Sequence, residues 1–178
     1  YDPPLDYRNI ISCGDVSELE SRWAARSRLN SVWGYSPLGN IIGGLRHVGG
    51  FVHNLPDLMP HDKYFAEHPE YYALVQGERR KMQYPVGNFT SHPCLTNTAV
   101  KEIVAASIRQ KIGDFKKRQN FDDDQIIFPV DYHDHGQICE CDKCTQVNKE
   151  EETDGGTLFR FLNALSDDLA KDYPTLIL

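Results

Sequence analysis

The residues from Ile126 to Cys144 constrain the fold of this chain more than any other stretch. The stretch begins with IIFPV, an apolar run whose length and β-branched residues are typical of a buried strand. The loop DYHDH follows, and the cysteine-rich segment CECDKC comes shortly after it. Enzymes built on a βα-barrel keep their chemistry in the loops where the strands end. The stretch therefore predicts a functional site at the C-terminal end of a buried strand.

Periodicity along the chain predicts further strands and helices. Strands are expected near residues 6–12, 46–53, 126–131 and 175–178. The capping box that runs from Ser17 to Glu20 predicts a helix whose apolar stripe contains Leu19 and Trp23. A second helix is expected to begin at Asn97 or Thr98.

The remaining segments predict a third helix and two irregular regions. The third helix is expected after the glycine pair at 155–156, with an apolar face that ends before Pro174. Residues 30–44 are rich in Gly, Asn and Ser, which predicts a loop. Residues 56–91 are expected to form a long loop excursion with short helices near 62–65 and 70–76.

Alternation of strands and helices predicts an α/β fold with parallel strands and crossover helices. Two architectures fit, namely about the first half of a (β/α)8 TIM barrel or a small doubly wound sheet. The long loops after the strands favour the barrel, which typically needs roughly 250 residues. The chain has 178 residues, begins at Tyr1 without Met and ends in PTLIL. We therefore expect residues 1–178 to form one partial barrel domain of a longer protein.

The charge balance excludes two classes of partner. The chain carries 26 acidic and 19 basic residues, for a net charge of -7. General binding to nucleic acid or to anionic membranes requires basic patches. No apolar run is long enough to cross a bilayer. The sequence thus predicts neither nucleic-acid binding nor membrane insertion.

Several motifs resemble one bacterial family. They are HNLPDLMP (53–60), DKYFAEHPEYYALVQGERR (62–80), CLTN (94–97) and DHGQICECDKC (134–144), with WAARSRLN (23–30) as a weaker match. Together they resemble the domain of unknown function group 4838, part of which belongs to glycoside hydrolase family 163. The resemblance implies a TIM-barrel, glycosidase-like domain. Characterised members of that family are endo-β-N-acetylglucosaminidases acting on complex N-glycans, so the resemblance implies an exported enzyme with a carbohydrate substrate and no required cofactor.

Within this interpretation the catalytic candidates are carboxylates. Glycoside hydrolysis generally uses two carboxyl groups, and N-acetyl sugars can supply their own acetamido oxygen as the nucleophile. Asp134 and Glu140 are the leading acid/base pair, and Asp131, nearer the strand end, is the alternative. Glu140 can equally be a solvated residue whose direction is set by the neighbouring cysteines.

Candidate substrate-binding residues surround these acids. His53 follows a strand and can hydrogen-bond either a sugar hydroxyl or the backbone. His133 and His135 flank Asp134. Tyr72 belongs to an aromatic group that can stack on sugar rings or form the small core of the long loop. Arg79 can meet an acidic sugar or pair with local carboxylates.

Four cysteines form a second constellation: Cys94, Cys139, Cys141 and Cys144. If the third and fourth strands are neighbours, Cys94 and the other three lie on adjacent loops, so Cys94 is expected close to at least one of them. Four thiolates can close a tetrahedral zinc site, whereas without a metal the cysteines can remain free thiols or, in an exported protein, pair as two disulfides. In either state the cysteines would be structural.

Three functions are compatible with these residues. The first is a glycoside hydrolase acting on glycans that contain N-acetylglucosamine. The second is a non-catalytic carbohydrate-binding domain on the same scaffold, and the third is a zinc-dependent metalloprotein. Fold alone does not decide among them, because barrels support many chemistries.

Overall fold

The computed structural model describes residues 9–11, 17–29, 31–33, 46–49, 53–79, 90–119, 126–132 and 136–178. Within these ranges the chain is a mixed α/β structure with short strands. The helices are α1 (Glu18–Arg26), α2 (Leu55–Leu58), α3 (His61–Tyr64), α4 (Thr98–Gln119), α5 (Asp142–Glu150) and α6 (Gly156–Leu169). The strands are β1 (Asn9–Ile11), β2 (Ser31–Trp33), β3 (Arg46–His47), β4 (Leu74–Val75), β5 (Glu78–Arg79), β6 (Thr90–Ser91), β7 (Ile126–Ile127) and β8 (Gly136–Gln137).

Three of the predicted strand segments lie side by side and run parallel. Strand β3 pairs with β7, with Arg46 opposite Ile126. On the other side of β7, Ile127 forms a parallel bridge with Ile177. Parallel pairing of these segments is therefore confirmed. The segment predicted at 6–12 contains β1, which also pairs in parallel, although its partner is β2 rather than another of the predicted strands. Strand β2 lies in a region that was predicted to be a loop, so that part of the prediction is wrong.

The core is built from the apolar faces of α4 and α6 packed around β7. Residues of α4 at helical spacing are fully buried, and α6 contributes a matching stripe. The fully or almost fully buried residues of these two helices are Val100, Val104, Ile108, Ile112, Phe161, Leu165 and Leu169. Burial of one such side chain contributes roughly 1.5–3 kcal/mol to the free energy of unfolding. Among the helices that the structure describes, none has the length and apolar character needed to cross a membrane.

The predicted helix starts are confirmed by their hydrogen bonds. Ser17 Oγ accepts the Glu20 amide at 3.2 Å, and a Glu20 carboxylate oxygen accepts the Ser17 amide at 2.7 Å. Asn97 Oδ1 accepts the Ala99 amide at 3.0 Å at the start of α4. The apolar stripe predicted for α1 is exposed among the described residues: the exposed fraction is 77% for Leu19 and 54% for Trp23.

The long excursion contains more structure than its sequence predicts. The short helix predicted near 62–65 is present as α3. No helix covers 70–76. That segment instead forms a 3-10 turn over Pro69–Tyr71 and then the antiparallel hairpin of β4 and β5. The hairpin turns at Gln76 and Gly77, whose φ angles of 51° and 81° are those of a type I′ turn. Helix α5 was also not predicted, because its sequence is polar and Cys144 is its one buried residue.

One buried histidine predicts a pH dependence of stability. His47 in β3 is 6% exposed, and burial lowers its pKa from 6.5 to about 4. The unfolded chain therefore binds more protons than the folded one between these pH values. We expect the free energy of unfolding to fall by up to about 3 kcal/mol as the pH drops from 6.5 to 4.

The measurement is urea unfolding across this pH window with metal excluded, since thiol protonation would otherwise contribute. The control is His47→Leu, which keeps a side chain of similar size without a titrating group. The slope of stability against pH should be shallower in that variant. Equal slopes in the two proteins would contradict the assignment to His47.

Candidate metal centre

Strands β6 and β8 bring distant cysteines to one place. They pair in parallel, with Ser91 opposite Gln137. Cys94 follows β6 and Cys139 follows β8, so both cysteines leave the strand pair at the same end. Cys141 is the N-cap residue of α5, and Cys144 lies in the first turn of that helix. The parallel pair and the helix start thus converge on the four cysteines.

The four sulfur atoms have the spacing of a tetrahedral metal site. All lie within 4.8 Å of one another. Cys94 Sγ is 3.7 Å from Cys141 Sγ and 3.8 Å from Cys144 Sγ. A tetrahedron with metal–sulfur bonds of about 2.3 Å has edges of about 3.8 Å. The cysteines are free thiols rather than disulfides, and all except half-buried Cys141 are buried. The predicted proximity of Cys94 to the later cysteines is confirmed, and the cluster can hold a metal ion.

Hydrogen-bond donors surround the sulfur atoms. The Leu74 amide donates to Cys139 Sγ at 3.3 Å, and Thr96 Oγ1 lies 3.2 Å from Cys144 Sγ. The Arg79 guanidinium lies 3.9 Å from Cys139 Sγ and also donates to the Tyr72 carbonyl at 2.6 Å. Such donors stabilise negative charge on ligand sulfur and orient the ligands of a metal.

The thiols share their protons unequally. Donation from Cys139 and Cys144 holds the pKa of Cys94 well below its usual range. Donation from Cys144 lowers the pKa of Cys139, but donation to Cys94 and burial together outweigh it and raise this pKa to about 11. The pKa of Cys144 is raised as well, first by its donation to Cys139. One thiolate held by neighbouring thiols is an arrangement in which a cation can displace the remaining protons.

The position of Arg79 predicts its effect on metal binding. The complex of a divalent ion with four thiolates carries a net charge of -2, and the guanidinium beside Cys139 partly neutralises this charge. We expect Arg79→Gln to weaken metal affinity about 10- to 100-fold, the usual effect of losing an outer-shell partner. Competition with a coloured chelator measures this affinity. The control is Lys143→Gln, which removes an exposed positive charge from α5. Equal affinities in the two variants would contradict the role of Arg79.

A second polar group lies where β3 and β7 end, and we call it the strand-end cluster: His53, Asn54, Asp131 and Tyr132. His53 Nδ1 donates to the Tyr132 carbonyl at 2.8 Å. The backbone amide of Asn54 donates to Asp131 Oδ1 at 3.2 Å, and the backbone amide of Asp131 donates to Asn54 Oδ1 at 3.3 Å. His53 has a φ of 57°, an uncommon value for a residue other than glycine. The cluster therefore has a fixed geometry.

Asn54 is the residue of this cluster that the sequence analysis missed. It is 1% exposed, and its side-chain amide donates to the carbonyls of Gly49 and Pro129. Its side chain thus joins the segment after β3 to the segment after β7. The one signal in the sequence was its place beside His53, directly after a predicted strand.

The other candidate residues have different surroundings. Glu140 is exposed, and its carboxylate accepts the Gln76 amide at 2.7 Å at the turn of the β4–β5 hairpin. Tyr72 is fully buried and packs against Phe65 with ring centroids 5.3 Å apart, so it has no face open to a sugar. It belongs to the main hydrophobic core rather than to a separate small core of the loop. Arg79 lies beside the cysteines rather than facing a sugar-binding surface. Three further candidates lie outside the described residues: His133, Asp134 and His135.

The structure therefore brings the predicted residues together in two groups. The four cysteines and Arg79 form the candidate metal centre, whereas His53 and Asp131 belong to the strand-end cluster, His53 bonded to Tyr132 and Asp131 to Asn54. Comparison with curated proteins and with solved structures finds no significant match in either set. The model of the domain of unknown function DUF4838 matches residues 2–178, nearly the whole sequence. The chain therefore belongs to the DUF4838 family.

Proposed function

We propose that the four cysteines bind one zinc ion in a structural site. The observation that supports this most strongly is the sulfur spacing of 3.7 and 3.8 Å, which fits a tetrahedron around a soft divalent ion. Thiolates favour zinc over harder cations such as magnesium or calcium. Four protein ligands leave no coordination position for water or substrate, so the site is structural rather than catalytic.

The bound ion would hold together three segments that share a small apolar cluster, whose buried members are Ala73, Val75, Cys94, Cys139 and Cys144. The segment after β6 supplies Cys94, and the segment from β8 into α5 supplies the other three ligands. The β4–β5 hairpin lies against the second segment, since the Leu74 amide donates to Cys139 Sγ and Arg79 lies beside it. Ala73, just before the hairpin, donates its amide to the His92 carbonyl of the first segment. Zinc would thus reinforce a small apolar cluster in this part of the domain.

Metal analysis of protein purified without added metal tests this proposal. We expect one zinc per chain in the wild-type protein and substantially less in Cys94→Ser and Cys144→Ser. The control is Cys13→Ser, which changes the fifth cysteine and should retain the metal. Stoichiometric iron in place of zinc would contradict the choice of metal, and protein without any metal would contradict the site.

We further propose that the domain is part of a TIM-barrel glycoside hydrolase that acts on glycans containing N-acetylglucosamine. Two observations support this. The segments that contain β3, β7 and Ile177 are parallel neighbours. The segments that follow β3 and β7 are joined by polar bonds from His53 to Tyr132 and from Asn54 to Asp131. In βα-barrel enzymes this end of the strands holds the active site. The proposal includes an exported protein in which further chain completes the barrel.

In this proposal the Asp131 carboxyl group acts on the sugar, while Asn54 holds that carboxyl group in position. One Asp131 oxygen accepts the Asn54 amide, which fixes the orientation of the carboxyl group. Such a group can orient an acetamido nucleophile or move a proton to or from the glycosidic oxygen. The ring of His53 is fixed by its bond to the Tyr132 carbonyl and contributes a second polar group at the same edge. Asp134 remains a candidate for the second carboxylate.

Turnover of the full-length protein on a panel of N-glycans tests the enzyme proposal. Asp131→Asn keeps the shape of the side chain but removes its charge and titratable proton. We expect turnover to fall about 10²–10⁴-fold, the usual contribution of acid–base catalysis, and a comparable fall for Asp134→Asn. The control is Glu140→Gln, whose turnover should stay within a few-fold of wild type because the Glu140 carboxylate binds the turn of the β4–β5 hairpin. Wild-type turnover in Asp131→Asn would remove this residue from the mechanism. Binding without turnover in the wild-type protein would favour a carbohydrate-binding domain.

A further inference from the structure

We propose that the metal centre positions the strand-end cluster through two stacked rings, those of His92 and Tyr132. The inference rests on the zinc site proposed above, and it gives that site a role in setting the geometry of the candidate active site. The contacts run from a cysteine ligand to His92, from His92 to Tyr132, and from Tyr132 to His53.

The first step joins the metal centre to His92. His92 lies two residues before Cys94 in the segment that follows β6. It is 3% exposed, and its carbonyl accepts the Ala73 amide at 2.8 Å. The Cys94 amide donates to the Tyr71 carbonyl at 2.8 Å, so antiparallel backbone bonds hold the segment on both sides of Pro93. Fixing Cys94 on a metal therefore also fixes the backbone of His92.

The second step joins His92 to the strand end. The His92 and Tyr132 rings are stacked, with centroids 4.0 Å apart and planes 29° apart. Tyr132 follows Asp131, and its carbonyl accepts a hydrogen bond from His53 Nδ1 at 2.8 Å. A displacement of the Tyr132 ring therefore moves the backbone oxygen on which the orientation of His53 depends.

The consequence is that His92 and Tyr132 act as positioning residues. When the metal is present, the stacked rings hold the Tyr132 carbonyl where His53 can donate to it. When the metal is absent, the segment that contains Cys94 keeps its backbone bonds but loses the metal cross-link to the segment from Cys139 to Cys144. The His92 ring then moves more freely against Tyr132, and the hydrogen bond from His53 to the Tyr132 carbonyl becomes intermittent.

Nuclear magnetic resonance of the full chain with isotope-labelled histidine tests this, using zinc as the only added metal. In the zinc-loaded protein we expect one sharp set of His53 ring signals, which should shift and broaden when a chelator removes the metal. The control is His61 on α3, which lies 2.8 Å from Asp62 and should be unaffected. Metal content measured on the same samples tests the zinc site separately.

Two variants separate positioning from general stabilisation. His92→Ala removes the stacked ring, and we expect it to retain one zinc per chain but to show His53 signals like those of the metal-free protein. His92→Phe keeps a ring in the stack and should restore the zinc-loaded signals. Zinc-loaded and metal-free protein with identical His53 signals would overturn this inference and leave the zinc site standing, as would His92→Ala with unmoved signals. Failure to bind zinc would overturn both proposals.

Discussion

Raising the free zinc concentration is expected to increase the free energy of unfolding by about 1.4 kcal/mol per tenfold step once zinc exceeds its dissociation constant. The reason is that the folded chain collects four sulfur ligands within 4.8 Å, whereas the unfolded chain disperses them. A ligand that binds only the folded state stabilises it by about 4 kcal/mol at a thousand times its dissociation constant. Chemical unfolding in zinc buffers of defined free concentration measures the slope.

The slope reports the number of ions that unfolding releases. Cys94→Ser should flatten it, because three thiolates and a hydroxyl bind zinc far more weakly than four thiolates. The control is Thr145→Ser, a change at an exposed position beside Cys144 that should leave the slope unaltered. A wild-type stability independent of free zinc would show that the cysteines do not bind this metal in the folded state.

Gly49→Ala is expected to destabilise the domain by about 3 kcal/mol or more. A Cβ at this position would lie 2.5 Å from Phe128 Cε2 and 2.6 Å from Cε1, well inside contact distance. Phe128 is fully buried in the core and cannot move aside without creating a void elsewhere. Gly49 also has a φ of 96°, which strains any other residue. Overpacking typically costs about 1–3 kcal/mol, and the backbone strain adds to it.

Two other glycines separate these effects. Gly77 has a φ of 81° but no atom within 4 Å of an added Cβ, so Gly77→Ala should show backbone strain alone, about 1 kcal/mol. Gly113 lies inside α4 with open space around it, so Gly113→Ala should stabilise the helix by up to about 1 kcal/mol. Thermal and urea unfolding of the three variants gives the comparison. A Gly49→Ala variant no less stable than Gly77→Ala would contradict the steric argument.

The sequence allowed prediction of the features that depend on local periodicity or on rare residue types. Helix α4 has apolar residues at helical spacing and an Asn97 cap, and both were recognised. The cysteines could be grouped because predicted parallel strands placed the loop with Cys94 next to the later cysteines. Asp131 and His53 could be placed at strand ends for the same reason.

The rest could not be predicted because tertiary contacts determine it. Helix α5 has no apolar stripe, and its position depends on the cysteines at its start. The hairpin of β4 and β5 rests on the Glu140 backbone and side chain, which come from a distant part of the sequence. Asn54 resembles any loop asparagine until its three partners after β3 and β7 are brought together by the fold.

The distance along the chain between the cysteines has a consequence for folding kinetics. Cys94 and Cys144 are 50 residues apart, and α4 and β7 lie between them. Closing a loop of this length costs conformational entropy, and contacts that are distant in sequence slow folding. Cys139, Cys141 and Cys144 are local and can capture an ion early, whereas Cys94 must wait for α4 and β7 to dock. We therefore expect zinc supplied at the start of refolding to bind the three local cysteines first, and ligation by Cys94 to be a late event that follows the docking of α4 and β7.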